Sequence, residues 1–157
     1  MVIPAIQARD VLYERLKKVF AKLDGCQKPE VCRGFPTNEP PFYVAVDEIV
    51  DTATTEGAAS MGHAKVAFEL NVFLCAVHRE LLVASNTLLA YIDAVFSSVL
   101  ADHTLGMTVD NSFPAVSMAG TSADSSKRYI AAANVTVSCE IASACPAWVK
   151  EAINDSD

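Results

Sequence analysis

Residues 64–78 read Ala-Lys-Val-Ala-Phe-Glu-Leu-Asn-Val-Phe-Leu-Cys-Ala-Val-His, and their pattern predicts the longest strand of the chain. Large apolar residues recur at every second position from Val66 to Leu74, which is typical of a strand that buries one face. At about 3.3 Å per residue such a strand spans roughly 50 Å. A compact domain of this size has a radius of gyration of only about 15 Å. We therefore expect the strand to bend, to be interrupted, or to project in a long β-hairpin that is shielded or paired with another subunit.

Further strands are predicted on both sides of this one. The β-branched and aromatic residues of 42–50 indicate a preceding strand, and the small polar residues of 51–63 indicate a mobile loop between the two. Residues 107–118 indicate another strand, and its internal proline favours an edge position or a bulge. A second flexible loop is expected over 119–127, before a final strand over 134–141 with apolar residues at alternate positions.

Two stretches carry helical periodicity. The first, over 5–23, is expected to bury Leu12, Leu16, Val19, Phe20 and Leu23. The second, over 85–101, is expected to bury Leu88, Leu89, Ile92, Val95, Phe96, Val99 and Leu100, with Asn86, Ala90, Asp93 and Ser97 on its other side. The whole stretch 81–101 is long enough for a membrane span. Its polar stripe favours a helix that lies on a sheet instead.

These elements predict one domain over residues 1–157 with an α+β fold. We expect a mainly antiparallel or mixed β-sheet, two amphipathic helices packed on one face of it, and a long β-hairpin. The Gly- and Pro-rich segment 26–41 is expected to connect the first helix to the sheet, with or without a short strand of its own.

Composition narrows the classes of function. The net charge of -7 and the scattered Lys and Arg residues argue against binding to nucleic acid. The first residues lack a basic region followed by an apolar stretch, so we predict no signal peptide and folding in a cytoplasm, with the five cysteines reduced. The pairs Cys26/Cys32 and Cys139/Cys145 are spaced more widely than the usual paired ligands of structural zinc.

The sequence lacks the common catalytic motifs: the Gly-rich phosphate loop, the dinucleotide fingerprint, the Gly-x-Ser-x-Gly elbow and the His-Glu-x-x-His helix. We therefore predict a non-catalytic protein with no cofactor. Metal binding stays open for two groups, His63/His78/His103 and Asp47/Glu48/Asp51. So does a small-molecule binding domain or enzyme with a cavity between helices and sheet, whose polar groups would be His78, Glu69 or Asp93.

The order of elements, with Pro-Pro-Phe-Tyr-Val-Ala-Val at 40–46 and Asp-His-Thr-Leu-Gly at 102–106, resembles the tail terminator (tail completion, minor tail) proteins of long-tailed phages. That family often has a Leu-Gly-Gly turn after its second helix, and Met107 stands at the second glycine here. The resemblance implies a phage or prophage subunit that forms a hexameric ring and stops tail-tube polymerisation. It also implies a surface for head attachment and a place in the virion tail, after assembly in the bacterial cytoplasm.

Under this hypothesis the partners are other copies of the chain, a tail-tube protein and a head–tail connector protein, without nucleic acid or membrane. A connector or a tail-tube subunit is the alternative within the virion. The predicted loops, the long strand and the single Trp supply the candidate contacts with subunits or partners, namely Glu56, Met61, His63, Lys65, Glu69, Asn71, Ser122, Asp124, Lys127 and Trp148.

Overall fold

The computed structural model describes residues 4–51, 63–144 and 147–155. In these ranges the chain forms a five-stranded mixed sheet with helices, which confirms the predicted α+β class. The expected mobile loop over 51–63 falls almost wholly outside the described residues. In chain order the elements are α1 (Pro4–Ala21), β1 (Glu30–Arg33), β2 (Phe42–Asp51), β3 (His63–His78), α2 (Leu81–Ala101), β4 (Asn111–Ala123), β5 (Tyr129–Ala144) and α3 (Ala147–Asn154).

The strands lie in the order β1-β2-β3-β5-β4, with β1 parallel to β2 and the other neighbours antiparallel. β3 has 16 residues, and so does β5, which pairs with it from His63↔Ala144 to His78↔Tyr129. The unusual length of β3 is therefore matched by a partner strand of equal length. β2 and β3 are antiparallel neighbours.

One face of the sheet carries the core, and both predicted helices pack on it. α1 lies over β1 and β2, while α2 lies over β3, β5 and β4. The even-numbered residues of β3, such as Leu70 and Leu74, point into this layer together with Leu12, Leu16 and Phe20 of α1. Burying one such side chain stabilises the fold by roughly 1.5–3 kcal/mol. We call the opposite side of the sheet the open face.

α2 differs from its prediction in start and rotation. It begins at Leu81, and Leu89 and Leu100, predicted as buried, are exposed. Apolar residues occur on several sides of this helix, so periodicity alone does not fix its rotation. The rotation is set by contacts such as the Tyr91 hydroxyl, which donates a hydrogen bond of 2.5 Å to the Gln27 carbonyl. By length and hydropathy α2 could cross a bilayer, but here its buried side packs on the sheet.

The expected loop at 119–127 is largely strand, which corrects the prediction. β4 continues to Ala123 and β5 begins at Tyr129, so the connection is only 124–128. The small residues near Gly120 have weak strand preference of their own, and pairing with β5 holds them extended. β1, left open by the sequence, pairs with β2, and α3 was not predicted.

Candidate assembly surfaces

β4 is an edge strand whose described pairing is with β5 alone. None of its 13 residues is charged. Beyond Ser112 its side chains are mostly exposed, including Phe113 at 51%, Val116 at 43% and Met118 at 67%. Edge strands are normally protected from pairing by charge, proline or bulges. β4 has Pro114 and a register shift after Val116, but it also presents an uncharged row of apolar side chains.

A polar ladder crosses the centre of the open face. The Asn134 side-chain amide donates to Asn71 Oδ1 at 3.1 Å and to Ser117 Oγ at 2.8 Å. The Thr136 hydroxyl donates to the same Asn71 oxygen at 3.2 Å. The ladder thereby joins β3, β5 and the irregular part of β4, and it fixes the orientation of the exposed end of β4.

An aromatic cleft lies on the open face beside this ladder. Its floor contains Tyr43, Phe73 and Cys75, and the cleft has a volume of about 380 Å³. The centroid of the Phe35 ring lies 5.2 Å from that of Phe73. Burial raises the pKa of the Tyr43 hydroxyl to about 12, so this group stays neutral. At the rim of the cleft, Arg128 Nη2 lies 3.0 Å from Asp124 Oδ2.

The Asp-His-Thr-Leu-Gly segment after α2 forms a turn centred on Asp102. Its Oδ2 accepts from Arg15 Nη2 at 2.8 Å and from the Gly106 amide at 2.9 Å. Its Oδ1 accepts from the Thr104 hydroxyl at 2.6 Å and from the Thr104 amide at 3.1 Å. The Thr104, Gly106 and Arg15 donors together lower the pKa of this carboxyl well below its ordinary value. The turn therefore has a structural explanation that does not involve a catalytic acid.

Three successive residues of that turn, Leu105, Gly106 and Met107, have positive φ, at 47°, 68° and 66°. The Leu105 side chain is fully buried, while Met107 is 91% exposed. The turn thus adopts a glycine-like backbone at Met107 without glycine, and places an apolar side chain in solvent.

The α1–β1 edge is the opposite edge of the sheet, and it is basic. Arg33 of β1 stacks over the Tyr13 ring at 4.5 Å and lies 3.5 Å from Asp10 and 3.7 Å from Glu14 of α1. Beside this contact runs a groove of about 240 Å³, which we call the lysine groove. It is lined by Lys17, Phe20, Ala21, Lys28, Pro29 and Val31.

The predicted contact residues are spread over several places. Glu69 and Asn71 lie on the open face, and Asn71 belongs to the polar ladder. Ser122 is exposed in β4 and so is not in a loop. Asp124 closes the β4–β5 turn through the Ser126 and Arg128 amides, and these bonds lower its pKa. Lys127 has φ 60° in that turn.

The remaining predicted contacts are less fully described. His63 and Lys65 lie in β3 opposite Ala144 and Ala142, and Trp148 lies in α3, but their side chains are outside the described part of the structure. Glu56 and Met61 also lie outside the described residues. Phe113, Val116 and Met118 are exposed on β4 and were not among the predicted contacts, although the lack of charge across 111–123 is visible in the sequence.

The residues left open for metal binding or a ligand cavity lie in separate places wherever the structure describes their side chains. His78 Nδ1 accepts from the Glu80 amide at 3.0 Å, and His103 is exposed after α2. Glu69 faces the open side of the sheet, whereas Asp93 is exposed on α2. Of the Asp47/Glu48/Asp51 group, only Asp47 has a described side chain. Among the residues that the structure describes, no three His, Cys, Asp or Glu side chains are grouped to hold a metal ion.

A cleft between the loop after α1 and the start of α2 has a volume of about 510 Å³. His78, Asn86 and Thr87 contribute to its wall together with Cys26. Burial and the nearby Asp24 raise the pKa of Cys26, which opposes formation of a nucleophilic thiolate. Of the three polar residues predicted for a ligand cavity, His78 lines this cleft, while Glu69 and Asp93 do not.

Comparison of the chain with known protein families and with curated proteins gives no match.

Proposed function

We propose that the protein is a non-catalytic assembly subunit of the tail-terminator type. In this role several copies close into a ring, most simply a hexamer, that caps the tail tube of a phage or prophage and offers a surface to the head. Its partners would be the tail-tube protein and the head–tail connector protein. Its place would be the virion tail.

The observation that carries the proposal is the β4 edge. A long edge strand with no charge and with Phe113, Val116 and Met118 exposed is a hazard for a protein that works alone. It suits a subunit whose edge is covered in an assembly, because apolar surface is then removed from water. The resemblance of residues 40–46 and 102–106 to tail terminators suggests which assembly this is, namely the ring at the end of a phage tail tube.

The organisation of polar groups also supports a structural role. Asp102, Asp124 and Asn71 are each engaged in hydrogen bonds that hold turns or strands. The hydrogen bonds that these carboxylate and amide groups make within the fold are sufficient to account for their positions. A ring subunit needs such rigid positioning of its edges, because the angle between neighbours sets the number of copies at closure.

Negative-stain electron microscopy of the purified full chain tests the proposal. Closed rings with six-fold symmetry are the expected result at high protein concentration. Open stacks of indefinite length would indicate a tail-tube subunit and not a terminator. Single small particles at every concentration would overturn the assembly role.

A further inference from the structure

We propose that Asp24 and Gly25 form a site of spontaneous covalent modification, at which Asp24 rearranges to isoaspartate through a cyclic imide. The two residues lie in the loop between α1 and β1. Of the six glycines in the chain, only Gly25 follows an Asp or Asn residue. The inference does not depend on the proposed assembly role.

The hydrogen bonding of this loop brings the reacting groups together. The Gly25 amide donates to Asp24 Oδ1 at 2.9 Å, so its nitrogen lies beside the side-chain carboxyl of the preceding residue. Both residues are exposed, and water therefore reaches the carboxyl. The nucleophile and the electrophile of an imide-forming reaction are thus neighbours in the folded chain.

Gly25 gives the peptide the freedom that ring closure requires. It has φ 83°, a backbone conformation that glycine adopts without steric cost. A Cβ at this position would meet no atom within 4 Å beyond the adjacent residues, so the surrounding space is open. The peptide between Asp24 and Gly25 can therefore rotate until its nitrogen faces the carboxyl carbon.

The reaction needs no reagent other than water. The Gly25 nitrogen loses its proton and bonds to Cγ of the protonated Asp24 carboxyl, whose hydroxyl takes up a proton and leaves as water. The product is a five-membered succinimide. Water then adds to one of its two carbonyls: opening at the main-chain carbonyl leaves the chain running through Cγ, as isoaspartate, and opening at Cγ restores aspartate.

Asn111 and Ser112 provide a comparison within the same chain. The Ser112 amide donates to Asn111 Oδ1 at 3.1 Å, which is the same kind of contact. An asparagine amide is normally attacked faster than an aspartate, because an ionised carboxylate resists nucleophiles. Ser112, however, is 2% exposed, and both residues pair with β5. Since this pairing holds their peptide bond in place, we expect Asn111 to remain intact.

The rearrangement changes a loop that is held to the body at two points. The Lys28 ammonium donates to the Ala21 carbonyl at 2.7 Å, and the Tyr91 hydroxyl donates to the Gln27 carbonyl at 2.5 Å. Isoaspartate adds one methylene to the main chain between these points, which displaces the loop and weakens both contacts. The melting temperature is therefore expected to fall as isoaspartate accumulates.

Ageing of the purified full chain tests the inference. The protein is kept for several weeks at body temperature and neutral pH and is then digested. Chromatography with electron-transfer fragmentation distinguishes isoaspartate from aspartate of the same mass. We expect isoaspartate at residue 24, a minor peptide lighter by one water, and unchanged Asn111.

Two substitutions at the exposed Asp24 give matched variants. Asp24→Glu keeps the charge but needs a six-membered ring, so it should lose the modification and keep its melting temperature on ageing. Asp24→Asn keeps the size and loses ammonia in place of water, so it should form the same isoaspartate faster.

Ageing in urea supplies the unfolded reference, in which both Asp24 and Asn111 are free to react. If isoaspartate forms at residue 24 in urea but not in the native chain, the folded loop prevents ring closure and the inference is wrong. If native Asn111 converts as fast as native Asp24, the local structure does not select the site. A melting temperature that stays constant while isoaspartate accumulates would overturn the predicted effect on the loop.

Discussion

Arg15 of α1 and Asp102 after α2 form the link that joins the two helices. Arg15 Nη2 lies 2.8 Å from Asp102 Oδ2, while Nη1 donates to the Ser98 and Asp102 carbonyls at 3.1 Å. The guanidinium therefore satisfies carbonyls at the end of α2, which lack partners within the helix. The same carboxylate organises the turn that carries Met107, so helix packing and turn conformation depend on one group.

Asp102→Asn tests this link through the pH dependence of stability. The folded pKa of Asp102 is lowered, so its contribution is present above the ordinary carboxyl pKa and is lost as pH falls through the folded value. We expect the variant to melt roughly 2–8 °C below wild type at pH 7. Calorimetry should show this difference shrinking as pH falls below about 4. A difference that is constant from pH 7 to pH 2 would contradict the account.

The turn itself predicts opposite effects at neighbouring positions. Met107 has φ 66°, which favours glycine, so Met107→Gly should leave stability unchanged or raise the free energy of unfolding by up to ~1 kcal/mol. Gly106→Ala should lower it by ~1 kcal/mol or more, because φ is 68°, a backbone conformation that L side chains rarely adopt. Urea unfolding measures both changes. Equal destabilisation by the two substitutions would show that the turn has another conformation.

Two substitutions at Tyr91 separate the contribution of its hydrogen bond to stability from the contribution of its packing. Tyr91→Phe removes the bond to the Gln27 carbonyl and should cost ~1 kcal/mol of unfolding free energy. Tyr91→Leu also removes the edge-on contact with Phe20, whose ring centroid is 5.5 Å away, and should cost ~1–3 kcal/mol more. Chemical denaturation of both variants checks the order. A neutral Tyr91→Phe would mean that the hydroxyl does not anchor the loop after α1.

We predict that the cysteine thiols react at different rates, because they differ in burial. Cys139 is buried, and burial raises its pKa to about 12, while Cys26 and Cys32 are only partly buried. Thiolate is the reactive form, so Cys139 should stay unlabelled at pH 8 while Cys26 and Cys32 react slowly. Mass spectrometry of alkylated peptides measures this, and denatured protein provides the fully labelled control. Labelling of native Cys139 as fast as Cys26 would contradict its place in the core.

Strong local patterns predicted much of the fold. The alternation from Val66 to Leu74 identified β3, and helical spacing of Leu12, Leu16 and Phe20 identified the buried side of α1. The predicted buried side of α2 was partly wrong. Leu88 and Leu89 are equally apolar, and only contact with the sheet determines which of them is buried. Periodicity within one segment therefore fails where two faces are apolar.

The candidate surfaces were less predictable because they arise from pairing between distant segments. Residues near Gly120 resemble a loop in sequence, yet β5 draws them into an edge strand. Asn71 was predicted as a contact with a subunit or partner, whereas its hydrogen bonds with Asn134 and Thr136 follow from the register of β3 on β5. Several of the contacts predicted from the sequence were placed in loops, whereas β4 exposes Phe113, Val116 and Met118.

The measurement that tests the assembly role most directly is the mass of the wild-type chain by light scattering after gel filtration, over a wide range of concentrations. The account predicts a mass that rises to a plateau of about 101 kDa, six times the 16.8 kDa of one chain, and does not increase further. A mass that stays at one chain throughout, or that grows without a limit, would contradict a closed ring.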